Sequence, residues 1–166
     1  ERAGAARLLA SPSLSALAAL VTLTSPVGDL YRENHWALRG QPPGFDTPDE
    51  DVYLVGRNVV LLSKAGIHCA RHGITRLAIG PLAGNPFPDA TPEFFSAMSR
   101  ALALGLDHPL EIAAPFLSMR KSDVIRLGIE LGVPLGLTLS CMNPRQGRHC
   151  GRCSKCRERQ EAFREA

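Results

Sequence analysis

Cysteine is nearly absent from most of this chain. Residues 1–140 contain one, Cys69, which excludes the disulfide-dense scaffold of small secreted proteins. Aromatic residues amount to 5% of the sequence, with a single tryptophan, Trp36. That is too few to interleave with basic side chains as a stacking platform for single-stranded nucleic acid. No apolar run is long enough to span a bilayer, and no basic segment with an apolar core and small-residue cleavage site stands at the N-terminus. Internal repeats and low-complexity tracts are absent too. What is there, 45% hydrophobic and 21% charged residues over 166 positions, suits an intracellular globular protein with an ordinary core. The expectation is a cytoplasmic location and no membrane contact.

Against that background, residues 141–156, CMNPRQGRHCGRCSKC, hold four cysteines. Cys141 is followed after eight residues by Cys150, Cys153 and Cys156 in overlapping Cys-x-x-Cys steps, each of which bends the backbone so that two sulfurs reach one ion. Four thiolates close a tetrahedral zinc shell and leave no position for water, which makes such a site structural. A redox Cys-x-x-Cys is the competing use. Asn143-Pro144 and Gly147 suit a turn. His149 sits beside a ligand but is surplus to a complete set of four. Cys69, within NVVLLSKAGIHCA, reads as a buried small hydrophobe.

Charge gathers in the same tail. Residues 145–166 carry seven Lys and Arg against three Glu, a local +4, so that residues 1–144 sum to −1. A basic metal module invites a nucleic-acid reading. Zinc with four thiolates carries a formal −2, however, and nearby cations balance it. Direct tRNA binding is therefore the less favoured use of these residues.

Upstream, short strand-like runs alternate with amphipathic segments, the pattern of an α/β domain with a mainly parallel sheet. AGAARLLA reads as a helix and LAALVTLTS as a buried strand. Residues 25–50 form a long loop holding Trp36, either a lid or a packed anchor. VYLVG is a short strand or an extended lead-in to a helix from Asn58. RLAIG is a strand, PEFFSAMSRALALG a helix ended by Gly105, LEIAAP a strand, KSDVIRLGIELG a helix ended by Gly132, and CRERQEAFREA a closing helix with Phe163 on its apolar side. The division expected is an α/β domain over 1–138 and a zinc motif with closing helix over 139–166.

Ligands of such sheets gather where strands end and helices begin. At VGRNVV, Gly56 permits a turn, Arg57 offers a bidentate contact to phosphate or carboxylate, and Asn58 suits a helix cap. In the loop GPLAGNPFPDATPEFF, Thr91 and Pro92 make a cap with proline at the first helical position. Asn85 and Asp89 are free there to meet ligand or metal, Phe87 to cover a planar ring, and Glu93 to complement the helix dipole. At PFLSMRKSDVIRLG, Arg120 and Lys121 open a helix against the dipole preference, which points to an anionic partner, with Lys121 the better phosphate or carboxylate contact. Ser118 or Ser122 is the cap.

Together VYLVGRNVVLLSKA, GNPFPDATPEFF, PFLSMRKSDVIRLGIELGVPLGLTLSC and the four-cysteine tail resemble the 7-cyano-7-deazaguanine synthase family of the queuosine pathway, over about residues 51–163. DLYRENHWALRG resembles a branch of that family rather than its best-known members. The resemblance implies a Rossmann-like, adenine nucleotide α-hydrolase-like fold carrying a C-terminal structural Zn2+. It also implies an ATP-dependent ligase that adenylates 7-carboxy-7-deazaguanine, admits ammonia to give the amide, and dehydrates that to the nitrile. On this footing Lys121 and Asp89 are the catalytic candidates, with Asp89 acting on Mg2+ or ammonia. Arg57, Asn58, Gly80 and Asn85 fall to the nucleotide, Phe87 and Glu93 to the substrate, and Cys141, Cys150, Cys153 and Cys156 to the metal. Pairing into a homodimer is common in the family.

The family also begins with a strand and a Ser-Gly-Gly-x-Asp-Ser loop that wraps pyrophosphate, and no such sequence occurs here. The expectation is a fragment or trimmed chain of a longer protein. The alternatives are a relative that activates another carboxylate, a tRNA-modifying ATP pyrophosphatase, and a non-catalytic zinc-bearing binding module.

Overall fold

The structure, a computed structural model, describes residues 2–31 and 35–166, and of residues 49 and 50 the backbone alone. Glu1 and residues 32–34 of DLYRENHWALRG lie outside the described residues. The elements in chain order are α1 (Arg2–Leu9), α2 (Trp36–Arg39), α3 (Arg57–Arg71), β1 (Arg76–Ala78), α4 (Pro92–Leu106), β2 (Glu111–Ala113), α5 (Lys121–Glu130) and α6 (Ser154–Glu165), with short 3-10 turns between them. The class is the expected one, α/β with a parallel sheet and flanking helices. No helix among the described residues is long and apolar enough to cross a membrane.

Two compact units make up the chain. One comprises Leu23–Ser25 and Tyr53–Arg120, the other Glu1–Thr22, Pro26–Val52 and Lys121–Ala166. In the first, β1 and β2 pair in parallel with Arg76 opposite Glu111, Leu77 opposite Ile112 and Ala78 opposite Ala113. α4 makes the crossover that parallel pairing requires. Ser99 on α4 ties the helix to the strand: its hydroxyl donates to Leu110 O at 2.6 Å and accepts from Ile112 N–H at 3.3 Å. The core is Leu62 of α3, Ala90, Phe95 of α4 and Ile112 of β2, joined by Leu77, Ile79, Phe94 and Leu102. Burial of a side chain such as Leu62 or Phe95 contributes ~1.5–3 kcal/mol. On α3 the buried residues Leu62, Gly66 and Cys69 recur at helical spacing, and Gly66 permits close approach: a Cβ there would meet Leu102 Cδ1 at 2.8 Å.

Three readings of this region need correction. LAALVTLTS forms no strand, and its Leu17, Leu20, Val21 and Leu23 are exposed. Apolar and β-branched residues supply strand propensity, but a strand persists only beside a hydrogen-bonded neighbour, and among the described residues the sheet pairs β1 with β2 alone. Gly105 is inside α4; the cap is Asp107, left-handed at φ 47°, whose N–H reaches Ala103 O and Leu104 O. Asn58 does not cap α3, because the cap position is Gly56 at φ 73°. VYLVG proves to be the extended lead-in rather than a strand, while Thr91 caps α4 as expected, accepting from Phe94 N–H at 3.1 Å.

In the second unit, α5 packs on α6 and α1 packs on the 3-10 turn at Leu135–Leu137. Gly132 ends the α5 segment at φ 67°, and Val133 N–H closes it on Gly128 O at 2.8 Å, a left-handed C-terminal closure that suits glycine. Phe163 is 39% exposed rather than packed on an apolar face; Cys156 and Ala162 are the buried side of α6.

Candidate metal centre

Two local devices bring the four cysteines together. Arg145 and Arg148 exchange both backbone hydrogen bonds, at 3.1 and 2.9 Å, around Gln146 and Gly147, which sit at φ 51° and 76°. Positive φ at both central residues is the two-residue hairpin turn that matches strand twist, and it returns the chain from Cys141 to Cys150. Gly151, at φ 72°, then swings the chain so that Cys153 caps α6 and Cys156 occupies its first turn. An antiparallel bridge from Gly44 to Cys153 ties residues 26–52 to the same point. The four Sγ atoms all lie within 4.8 Å of one another and could hold one metal ion. None is in a disulfide.

The sulfurs receive backbone donors. Asn143 N–H and Cys150 N–H both reach Cys141 Sγ at 3.3 Å, and Arg152 N–H reaches Cys150 Sγ at 3.4 Å. Burial alone would raise the Cys150 pKa, but the Arg152 N–H and the neighbouring Cys141 and Cys153 outweigh it and bring it down to about 7. Burial pushes Cys156 up to about 12, with Cys153 adding to the effect, and burial raises Cys141 against the pull of two N–H donors. One thiol ready to ionise among buried ones is a cluster that a cation would complete, since metal binding releases the protons.

Arg159 braces the centre from α6. Its guanidinium donates to Thr138 Oγ1 and Leu135 O at 3.0 Å, reaches Ser140 Oγ at 3.4 Å, and lies over the Phe163 ring at 4.5 Å. Burial lowers its pKa and the charge of Cys156 opposes that. His149 is structural: Nε2 accepts from Ser140 N–H at 3.1 Å, and burial, then Arg159, lower its pKa. A cleft of about 280 Å³, lined by Pro42, Asn143, Arg145, Cys150, Arg152 and Cys153, adjoins the cysteines. Trp36 is half-buried with its Nε1 out of water.

Lys121 opens α5 in this same unit and ion-pairs with Glu158 of α6, which also pairs with Lys155. Ser122, 1% exposed, has no hydrogen-bond partner for its hydroxyl among the described residues, and Ser118 is exposed.

The remaining candidates lie in the other unit. Asn58 and Asp89 form a two-bond clasp: Asn58 N–H donates to Asp89 Oδ2 at 2.9 Å and Asn58 Nδ2 donates to Asp89 O at 2.8 Å. Asp89 is 6% exposed, so it is a buried brace at the head of α3 rather than a free acid. Asn85 is also engaged, its Oδ1 accepting from Phe87 N–H at 3.0 Å. Phe87 stacks on Tyr53, centroids 4.6 Å apart at 11°. Arg57 and Glu93 are exposed in the first turns of α3 and α4, and Phe116 lies 3.6 Å from where a Cβ on Gly80 would sit. A groove of about 560 Å³ between α4 and β2, lined by Phe95, Ser99, Arg100, Glu111 and Ile112 among others, includes none of these residues.

Sequence reasoning missed Glu158, Arg159 and Tyr53. Arg159, three residues beyond Cys156 on a helix, faces the ligand by spacing alone and was legible. The Lys121 partner of Glu158 and the Phe87 partner of Tyr53 lie 37 and 34 residues away, and for those pairings the sequence holds no signal.

Over residues 44–166 the chain matches the family described as queuosine biosynthesis protein QueC. It is 41% identical over 122 residues to the 7-cyano-7-deazaguanine synthase of Anaeromyxobacter dehalogenans, covering 69% of this chain and 52% of that protein. To the synthase of Caldicellulosiruptor bescii it is 40% identical over 127 residues, covering 74% and 57%. With that of Picrophilus torridus the figures are 34% over 154 residues, 83% and 63%. The chain spans little more than half the length of the first two.

Proposed function

The chain belongs to the family of queuosine biosynthesis protein QueC, and from that premise we propose that it takes part in the ATP-dependent conversion of 7-carboxy-7-deazaguanine and ammonia to 7-cyano-7-deazaguanine. The observation that carries the reading is the four-cysteine centre and the cationic start of α5 lying in one compact unit, in the order that family membership leads one to expect.

The metal is zinc in this reading, held by Cys141, Cys150, Cys153 and Cys156. Zn–S bonds of about 2.3 Å set tetrahedral sulfurs about 3.8 Å apart. The Cys153–Cys156 and Cys150–Cys156 separations of 3.5 and 3.9 Å bracket that value. With four thiolates the ion supplies structure and no open coordination position. Arg159 and the N–H donors on sulfur offset the formal −2.

ATP with Mg2+ supplies the adenylating power of the proposed reaction. Lys121 is assigned to an anionic group of the substrates, phosphate or carboxylate, and Arg57 to a phosphate. Asp89, spent on Asn58, is assigned to holding the loop and the head of α3 in place, and Phe87, stacked on Tyr53, to one wall of that loop. A cytoplasmic location accords with these substrates.

The test is AMP release by the full-length gene product with ATP, Mg2+, ammonia and 7-carboxy-7-deazaguanine, with the nitrile identified by mass. AMP release only with some other carboxylate would reassign the substrate. No AMP release with any, and no effect of ATP on the melting temperature, would leave a binding module.

A further inference from the structure

Two of the chain's three lysines converge on one glutamate. Lys121 opens α5, Lys155 and Glu158 lie in the first turns of α6, and each Glu158 oxygen takes one ammonium. The side chains of Lys121, Glu158 and Lys155 are 30%, 19% and 24% exposed. Charges this far out of water lose solvation that their pairing barely returns, so packed apolar residues would serve stability as well or better. Lys121 also stands at the partly positive end of its helix, where a cation is disfavoured. Stability is a poor reason for such an arrangement, and holding a cation ready for an anion is a better one.

We propose that Glu158 is a positioning residue for Lys121. Its carboxylate, anchored by Lys155, fixes Lys121 Nζ at the start of α5, where the ammonium meets the phosphate or carboxylate of a substrate. This rests on the assignment of Lys121 made above. α6 begins beside Cys153 and carries Cys156 two residues before Glu158. The cysteine centre therefore sets the backbone from which Glu158 reaches Lys121.

The test compares E158Q, E158D and K121A in the full-length gene product by AMP release, metal content and melting temperature. E158Q is expected to keep its metal and melt within a few degrees of the wild type, while kcat falls about tenfold or more, about 1.4 kcal/mol. E158D, which restores the carboxylate, recovers most of that loss. KM rises for the co-substrate whose anion Lys121 meets, ATP or the deazaguanine carboxylate, and not for the other. A kcat for E158Q within about twofold of wild type overturns the positioning role, as does an equal loss in E158D. If K121A also keeps its kcat, the assignment of Lys121 has failed first and the positioning role goes with it. Should E158Q not fold, lysine ammonium NMR on the wild-type chain decides. Inorganic pyrophosphate or 7-carboxy-7-deazaguanine shifts Lys121 Nζ and leaves Lys64, exposed on α3, in place; a Lys121 unmoved by both overturns the proposal.

Discussion

The carboxylate of Asp89 closes the head of a helix that begins 32 residues before it in the chain, accepting the N–H of Asn58. Replacing a helix-capping acceptor with alanine costs ~0.5–2 kcal/mol, and Asp89→Ala also strands the part-buried N–H of Asn58. We expect Asp89→Ala to lower the unfolding free energy by about 2 kcal/mol and Asp89→Asn by distinctly less, measured by urea denaturation. Equal losses would mean that the carboxylate oxygen is not the acceptor that matters. Asn58 reads locally as a cap because its side chain competes well for backbone donors. Gly56, free to take φ 73°, moves the cap two positions earlier and leaves the Asn58 amide for Asp89 O. Arg159 was open to sequence reasoning in the same local way, since its distance from Cys156 is fixed by the helix.

At the scale of elements, α4 runs through Gly105 and ends on Asp107. Nothing lies within 4 Å of where a Cβ on Gly105 would sit, and the residue is exposed. Gly105→Ala should therefore raise stability by about 0.5–1 kcal/mol, the helical difference between the two residues, visible as a higher thermal midpoint. A loss would restore Gly105 as the helix end. Gly132→Ala is expected to do the opposite, because φ 67° strains any residue with a Cβ. Helices α3, α4, α5 and α6 were legible because amphipathic spacing and end signals act within a few residues. LAALVTLTS was misread for the converse reason: a strand is a pairing, and half of the information lies in its neighbour.

Over the whole molecule, the four-cysteine cluster, which could hold one metal ion, joins the hairpin after Cys141 to the start of α6. Chelation, or Cys150→Ala, should remove one zinc per chain and cost hydrogen-exchange protection in α6 and in residues 135–153. The amides of β1 and β2 should keep theirs. A zinc-free wild type with α6 fully protected would show that the cysteines pack without metal. The sequence by itself determined the α/β class, the long helices, the four-cysteine cluster and the concentration of positive charge beside it, since composition, helical period and Cys-x-x-Cys spacing are carried by adjacent residues. Only the tertiary structure decided that Asp89 braces a helix, that Phe87 stacks on Tyr53 and that Lys121 is held by Glu158. Each is a contact between residues 31 or more positions apart, and such contacts are chosen by how helices and loops pack, which no local pattern records.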